Sequence, residues 1–186
     1  MKRALCLLLP LMVSAVEPVD WANPKALHSG TEKPHATLTA FPSVEAARKF
    51  GISVMSEREK SPWYRSLNGE WKFQFCKTQM DRIAGFHELI FNDLGWGTIP
   101  VPANVETEGH GIPIYVNTTY PWGKPTPPNI SPSNIYNSVS CYRKRFEVPK
   151  GWAGRRVFVT FDGVNSYFYL WINGKKVGFS KDSRTP

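Results

Sequence analysis

The chain has 186 residues, of which 41% are hydrophobic and 13% aromatic, and its formal net charge is +8. This length supports one domain with its own core, or one domain and an arm, and excludes a large barrel in addition. The basic residues are scattered, without a stripe or a recognised module, so we expect no nucleic-acid partner.

The first fifteen residues have the pattern of a secretory signal peptide. Lys2 and Arg3 precede an apolar run over residues 4–13, and small residues follow where a signal peptidase cuts. The run is interrupted by Pro10 and is shorter than the ~20 residues of a membrane-spanning helix. We therefore expect an exported protein, periplasmic or secreted, without a membrane anchor, and a net charge that falls to +6 once residues 1–15 are removed.

Residues 16–62 form a predicted N-terminal arm of irregular structure. Pro18, Pro24, Pro34 and Pro42 are spaced through it, and a helical pattern occurs only over residues 43–50, where Ser43 is suited to cap the helix start. The pattern then changes to strands, so we place one domain over residues 63–186.

Three segments alternate apolar and polar residues with the period of a half-buried strand. In residues 69–77 (GEWKFQFCK) the aromatic side chains occupy every second position. Residues 141–149 (CYRKRFEVP) and 155–164 (RRVFVTFDGV) show the same pattern, which places Val157, Val159 and Phe161 on one face.

Asn173 and Gly174 stand between two apolar runs and predict a β-hairpin, because both residues tolerate the positive φ angles of a tight turn. A two-residue turn makes Ile172 face Lys175, Leu170 face Val177, and Phe168 face Phe179. Short strands, frequent Pro/Gly turns and little helix favour an all-β antiparallel sandwich. The chain ends seven residues after Phe179, so we expect a fragment whose sandwich lacks its last strands.

The sequence shows no residue spacing that is typical of a metal or cofactor site. Cys76 and Cys141 are the cysteines outside the signal sequence, and whether they pair is left open. The four histidines show no zinc-ligand spacing, and the glycine motifs of phosphate binding and the serine motif of hydrolases are absent. The sequence predicts neither a metal site nor a cofactor site.

Several motifs occur in a fixed order along the chain: WANP at 21–24, PHATLTAFPSVEAA at 34–47, SLNGEWKFQF at 66–75, IPVPANVE at 99–106, GHGIPIYVNTTYP at 109–121, PP at 127–128 and the run from CYRKRF to DSRTP at 141–186. Taken together, they resemble the N-terminal sugar-binding domain of glycoside hydrolase family 2 β-galactosidases. The resemblance implies a jelly-roll β-sandwich, galactose-binding-domain-like, ahead of immunoglobulin-like domains and a catalytic TIM barrel.

The same resemblance implies hydrolysis of terminal β-D-galactosides with retention, by two glutamates about 5–5.5 Å apart. In the family both glutamates belong to the barrel, so this chain without its missing C-terminal domains is predicted to be inactive and to contain no catalytic residue. Family members are often homo-oligomers and use Mg²⁺ or Na⁺ near the barrel. No set of ligands for either ion can be recognised in the sequence of this chain.

Asn117 is the predicted substrate-binding residue. The resemblance implies that its loop reaches the mouth of the barrel and that its amide hydrogen-bonds the galactosyl unit, as donor and acceptor. The alternative is an asparagine that caps a turn. Val105 and His110 depart from the residues usual in the family, which concerns loop packing and substrate choice rather than the strand framework.

Two other functions are compatible with parts of the sequence. A stand-alone secreted carbohydrate-binding module would use a platform of exposed aromatic residues, drawn from Tyr115, Tyr120, Trp122, Tyr167, Tyr169 and Trp171. A small autonomous hydrolase would use Glu106 and Glu108. Carboxylates this close on one strand point in parallel and do not flank a glycosidic bond from two sides, which disfavours the hydrolase.

Overall fold

Six strands in two antiparallel sheets form the regular β-structure of the residues that the computed structural model describes, which are 20–23, 25–49, 55–117, 131, 133–181 and 183–186. The strands are β1 His28–Ser29, β2 Gly69–Cys76, β3 Gly97–Val101, β4 Val139–Arg143, β5 Phe168–Ile172 and β6 Lys175–Ser180. One short helix, α1 Val44–Lys49, and 3₁₀ turns at Asp20–Ala22, Met55–Lys60, Gln79–Asp81 and Lys150–Trp152 complete this part of the chain.

The first sheet has the order β3-β2-β4 and contains most of the buried core. The alternation predicted for β2 is confirmed at Phe73, which is buried, but Cys76 on the opposite face is buried as well. Both faces of β2 are covered because Cys76 packs with Trp96 and Cys141 in a cluster lined by half-buried apolar residues. In β3, Ile99 is only 1% exposed.

The predicted hairpin is confirmed, but its register changes along the strands. Asn173 and Gly174 have φ angles of 50° and 78°, and Ile172 faces Lys175 as expected. A β-bulge between Leu170 and Trp171 then shifts the pairing by one residue. The predicted facing pairs beyond the bulge are therefore wrong: Leu170 faces Gly178, and Phe168 faces Ser180.

This shift changes which side chain the hairpin buries. Phe179 faces Tyr169 instead of Phe168, and its ring lies 5.8 Å from that of Tyr169. Phe179 is 5% exposed, whereas Val177, which a regular register would place beside it on the same face, is 43% exposed. A bulge inserts one unpaired residue, so every side chain beyond it changes face.

The arm contributes a strand to the second sheet, whose order is β1-β6-β5. His28 faces Ser180 and Ser29 faces Phe179. The approach is so close that a Cβ at Gly178 would lie 2.0 Å from the carbonyl oxygen of Ser29. An ion pair of 2.7 Å between Asp20 and Lys176 also joins the arm to β6. Further along the arm, α1 starts as predicted, because the Ala46 amide donates to Ser43 Oγ at 3.1 Å.

Two other strand predictions need correction. The strand predicted over residues 141–149 begins earlier, at Val139, and ends at Arg143. Residues 155–164 form no strand in the described structure, and Val157 is 45% exposed. An alternating pattern specifies an extended, amphipathic segment, but a strand also needs a neighbour to complete its ladder, and the described residues supply none there.

Side chains from the connections that flank the first sheet contact the second sheet. The Trp171 ring on β5 lies edge-on to Phe86, 5.5 Å away, and Phe86 stacks with Trp96 of the first sheet's core. Buried Gln79 donates to the Tyr167 hydroxyl at 3.1 Å. The predicted all-β sandwich fold is confirmed. None of the described helices is long and apolar enough to cross a membrane.

Candidate functional site

The predicted site residue, Asn117, is the last described residue of an exposed stretch, residues 111–117 (GIPIYVN), which we call the 111–117 segment. All seven residues are exposed and none belongs to a helix or strand. The exposed fractions are 48% for Ile112, 45% for Ile114, 87% for Tyr115 and 46% for Val116. An apolar run at the surface is a common feature of binding sites and of contacts between domains.

The segment leaves the sandwich from a well-anchored base. The His110 ring is half-buried, lies 4.8 Å from the ring of Phe73 and stacks with that of Phe75 at 6.0 Å. The backbone amide of His110 donates to the Val105 carbonyl at 3.1 Å. Although His110 departs from the family pattern, it still packs as an aromatic residue would, on the buried side of β2.

A compact turn precedes this base. The amides of Thr107 and Glu108 donate to the Asn104 carbonyl at 3.1 Å and 3.3 Å, and the Thr107 hydroxyl donates to the same oxygen at 2.8 Å. Glu106 and Glu108 therefore lie on a turn. The strand expected for them from the sequence is wrong. The turn folds locally because two backbone amides and the Thr107 hydroxyl donate to the Asn104 carbonyl.

The turn and the 111–117 segment together line an open cleft of about 310 Å³, formed by Asn104, Glu106, Thr107, Pro113 and Ile114. Its lining combines amide, hydroxyl and carboxylate groups with apolar side chains, a combination that suits a polyhydroxylated ligand. Asn104 and Thr107 are not among the site residues predicted from the sequence. The turn pattern after Pro102 could have indicated them. Glu108 does not line the cleft, so the structure offers no pair of facing carboxylates there.

Asn117 has an exposed side chain, and within the described part of the chain no group is assigned as its hydrogen-bond partner. The turn-capping alternative would use the amides of residues 118 and 119. Those residues, together with Tyr120 and Trp122 of the aromatic platform, lie outside the described residues. The role of Asn117 as a sugar ligand therefore stays a prediction.

Three members of the predicted aromatic platform are packed within the protein. Tyr167, Tyr169 and Trp171 are all half-buried, and their rings follow one another at 5.8 Å and 5.6 Å. His87 also stacks on Trp171 at 5.0 Å. Burial raises the pKa of the Tyr167 and Tyr169 hydroxyls above the usual value. These side chains stabilise the sandwich and leave little flat surface for a sugar ring.

Among the described residues, no group of three or more His, Cys, Asp or Glu side chains is arranged to hold a metal ion. The polar groups near the 111–117 segment are amides, a hydroxyl and single carboxylates. They can exchange hydrogen bonds with a bound hydroxyl-rich ligand, but they do not form a general acid and nucleophile pair.

The sequence is similar to known proteins over most of its length. Residues 64–186 match the family described as glycosyl hydrolases family 2, sugar binding domain. The β-galactosidase of Priestia megaterium is 37% identical over 170 residues, which are 90% of this chain and 16% of that protein. The β-galactosidase of Photobacterium profundum is 35% identical over 167 residues, 90% of this chain and 15% of that protein.

A further β-galactosidase, from Halalkalibacterium halodurans, is 37% identical over 155 residues, 82% of this chain and 14% of that protein. The chain thus spans only about one sixth or less of the length of these relatives. The family match covers more than half of the chain and includes strands β2 to β6 and the 111–117 segment. The chain belongs to glycosyl hydrolase family 2, as its sugar-binding domain.

Proposed function

We propose that this chain forms one wall of the substrate site in a β-galactosidase, and that Asn117 contacts the galactosyl unit. The observation that carries the proposal is the 111–117 segment, whose base is packed against β2 while its apolar residues and its terminal amide are exposed. The curated relatives that support it are all β-galactosidases.

The proposed division of roles follows from the chemistry of retaining hydrolysis. Retaining hydrolysis needs two carboxyl groups on opposite sides of the scissile bond, about 5–5.5 Å apart. We propose that polypeptide outside these 186 residues supplies both, in a barrel, and that this chain supplies orientation. An amide fixed at the rim reads hydroxyl groups as donor and acceptor and excludes ligands that lack them.

The anchored base of the segment has an energetic role in this proposal. Ordering a free loop on binding costs conformational entropy, and that cost reduces affinity. Pro113 and the packing of His110 on Phe73 restrict the segment before substrate arrives. Its exposed Ile and Tyr side chains would then contact the neighbouring domain, which removes apolar surface from water.

The test is Asn117→Ala in the full-length enzyme. Loss of one hydrogen bond costs about 1 kcal/mol, and more if the bond tightens in the transition state, so kcat/KM for a β-galactoside should fall about 5-fold or more. Asn117→Asp keeps the shape of the side chain and loses its N–H donor, so its kcat/KM should lie between those of the wild type and Asn117→Ala. Unchanged kinetics in both variants would exclude sugar contact by this residue.

A matched control is Asn68→Ala, because Asn68 is also an exposed asparagine and lies outside the segment and the cleft. It should leave kcat/KM and thermal stability unchanged. The 186-residue chain by itself should hydrolyse no β-galactoside. Turnover by the purified chain would contradict the assignment of both glutamates to other polypeptide.

We also propose that the protein is exported, with residues 1–15 as its signal peptide. The supporting observation is the order of the basic start, the apolar run and the small residues. Expression with the natural start should give a mature protein that begins near Val16 and is found outside the cytoplasm. An intact Met1 on protein recovered from the cytoplasm would contradict this.

A further inference from the structure

Cys76 and Cys141 lie on adjacent antiparallel strands and on the same face of the first sheet. Gln74 of β2 faces Cys141 of β4, and Cys76 faces Val139. Because residues two apart on a strand share a face, Cys76 and Cys141 are diagonal neighbours across the strand pair. The two cysteines are 65 positions apart in the sequence, and the folding of the chain brings them together.

Both cysteines belong to the core of this sheet. Cys76 is 5% exposed and Cys141 is 1% exposed, and both pack against Trp96. Each is a free thiol, and both belong to one buried cluster with Trp96. The two thiols thus lie near each other in a site that is almost closed to water.

We propose that Cys76 and Cys141 are the two halves of an intrachain disulfide that closes when the chain folds under oxidising conditions. The oxidant would be a small-molecule disulfide such as oxidised glutathione, or a thiol–disulfide oxidoreductase. One protein thiolate attacks the oxidant and releases one thiol as leaving group, which leaves a mixed disulfide. The second protein thiolate then displaces the other thiol, so two protein S–H bonds are exchanged for one S–S bond and the oxidant is reduced to two thiols.

The timing of this reaction follows from burial. Burial raises the pKa of the Cys141 thiol to about 12, and the neighbouring Cys76 thiol adds to the effect. A thiol with such a pKa is almost entirely protonated near neutral pH and reacts slowly, since the thiolate is the nucleophile. We therefore expect the bond to close during folding, as β2 and β4 come together and before the core excludes solvent.

The diagonal arrangement makes this a strained bond. Diagonal neighbours in an antiparallel pair have Cα atoms about 7–8 Å apart, whereas a disulfide requires about 4.4–6.8 Å. Closing the bond therefore draws β4 slightly toward β2. Strained disulfides are reduced more easily than relaxed ones, so we expect this one to respond to the redox conditions of its compartment.

The experiment refolds the full-length protein in glutathione buffers from fully reduced to strongly oxidised, then blocks free thiols with an alkylating agent. Peptide mapping should find a disulfide-linked pair containing Cys76 and Cys141, in more than half of the oxidised protein and in none of the reduced protein. The linked pair should be about 2 Da lighter than the sum of its free peptides, from the two hydrogens lost. Both cysteines recovered as alkylated thiols across the whole series, in protein with a native circular dichroism spectrum, would overturn the proposal.

Two variants give a second readout. In the wild-type protein, a reductant should lower the denaturant midpoint of the oxidised form, because it removes a cross-link between distant parts of the chain. In Cys141→Ala, the same reductant should leave the midpoint unchanged. Cys76→Ala removes the other half of the pair and should give the same result if Cys141→Ala folds poorly. A midpoint that shifts equally in the wild type and in both variants would also overturn the proposal.

Discussion

The first sheet and the 111–117 segment are both rich in apolar residues, but core residues of the sheet are buried and the apolar residues of the segment are exposed. Phe73, Ile99 and Cys141 in the sheet are 3%, 1% and 1% exposed, whereas Ile112 and Ile114 in the segment are 48% and 45% exposed. The three sheet residues all have ladder partners on a neighbouring strand. Burial in the first region contributes to the stability of this domain, whereas the exposed side chains of the second region contribute little to it.

The largest effect in this comparison should come from Ile99→Ala. Truncation of a fully buried isoleucine loses transfer free energy and leaves a cavity, which costs about 2–5 kcal/mol of unfolding free energy. Ile114→Ala is the matched control, because the same atoms are removed from a half-exposed side chain, and it should cost within about 0.5 kcal/mol. Denaturant unfolding measures both, and equal costs would contradict the contrast between the regions.

Gly178→Ala tests whether the second sheet is held as tightly as the first. A Cβ there would lie 2.0 Å from the Ser29 carbonyl oxygen, so β1 must move away from β6. Forcing an extra carbon into so tight a contact should cost about 3 kcal/mol. Gly151→Ala is the control, because a Cβ at Gly151 meets nothing within 4 Å.

The readout should be site-specific as well as global. Backbone amide exchange in β1 and β6 should rise in Gly178→Ala and stay at the wild-type rate in Gly151→Ala. If exchange in β1 is unaffected while stability is normal, the arm does not belong to this sheet in solution.

Asp93→Asn comes next, because it disrupts a polar contact at the edge of the first sheet. Arg143 Nε donates to Asp93 Oδ2 at 2.8 Å, and both side chains are mostly buried, with exposures of 17% and 14%. The Arg143 guanidinium also donates to the carbonyls of Phe86 and Glu88. Loss of the charged acceptor should cost about 1.5 kcal/mol of unfolding free energy.

The control for Asp93→Asn is Glu32→Gln, which removes a carboxylate from the exposed pair with Arg156. Exposed ion pairs contribute about 0–1 kcal/mol, so this variant should lie close to the wild type. A larger loss for Glu32→Gln than for Asp93→Asn would reverse the assignment of the two contacts.

The hairpin shows how far sequence alone can predict this fold. The turn at Asn173 and Gly174 is predictable because its chemistry is local. The bulge after Leu170 is not, since the register of β6 depends on β1, which approaches Gly178 from a part of the chain nearly 150 residues earlier. The same reason explains residues 155–164: alternation is local, whereas a ladder partner is not.

The candidate site divides in the same manner. That Asn117 belongs to an irregular segment is predictable from the prolines and glycine around it, and the structure gives it an exposed side chain. What the amide binds is not predictable from local pattern, because a turn cap and a sugar ligand need the same residue type. The packing of Trp171 could not be predicted either, because it depends on Phe86 and His87 in a distant loop.

The smallest predicted effect concerns the contact between the arm and the sandwich, and it depends on pH. Arg58 Nη1 donates to Asp162 Oδ1 at 3.0 Å, and this hydrogen bond is the main reason that the pKa of Asp162 lies below its ordinary value. A carboxyl whose pKa is lower in the folded state than in the unfolded state binds its proton more weakly there. Its stabilisation is therefore present above the unfolded-state pKa, about 3.9, and is lost as the pH falls through the folded-state pKa.

Asp162→Asn should consequently destabilise the protein near neutral pH and have no additional effect in acid. The Asp162 side chain is 47% exposed and that of Arg58 23% exposed, so solvent screens the pair and the cost should be at most about 1 kcal/mol. Glu147→Gln, which removes an exposed carboxyl of equal charge, controls for net charge. Unfolding free energies measured from pH 7 to pH 2 should show the gap between wild type and Asp162→Asn closing below about pH 4. A gap that stays constant over that range would mean that the aspartate contributes through packing, because only the ionised carboxylate forms the charged pair with Arg58.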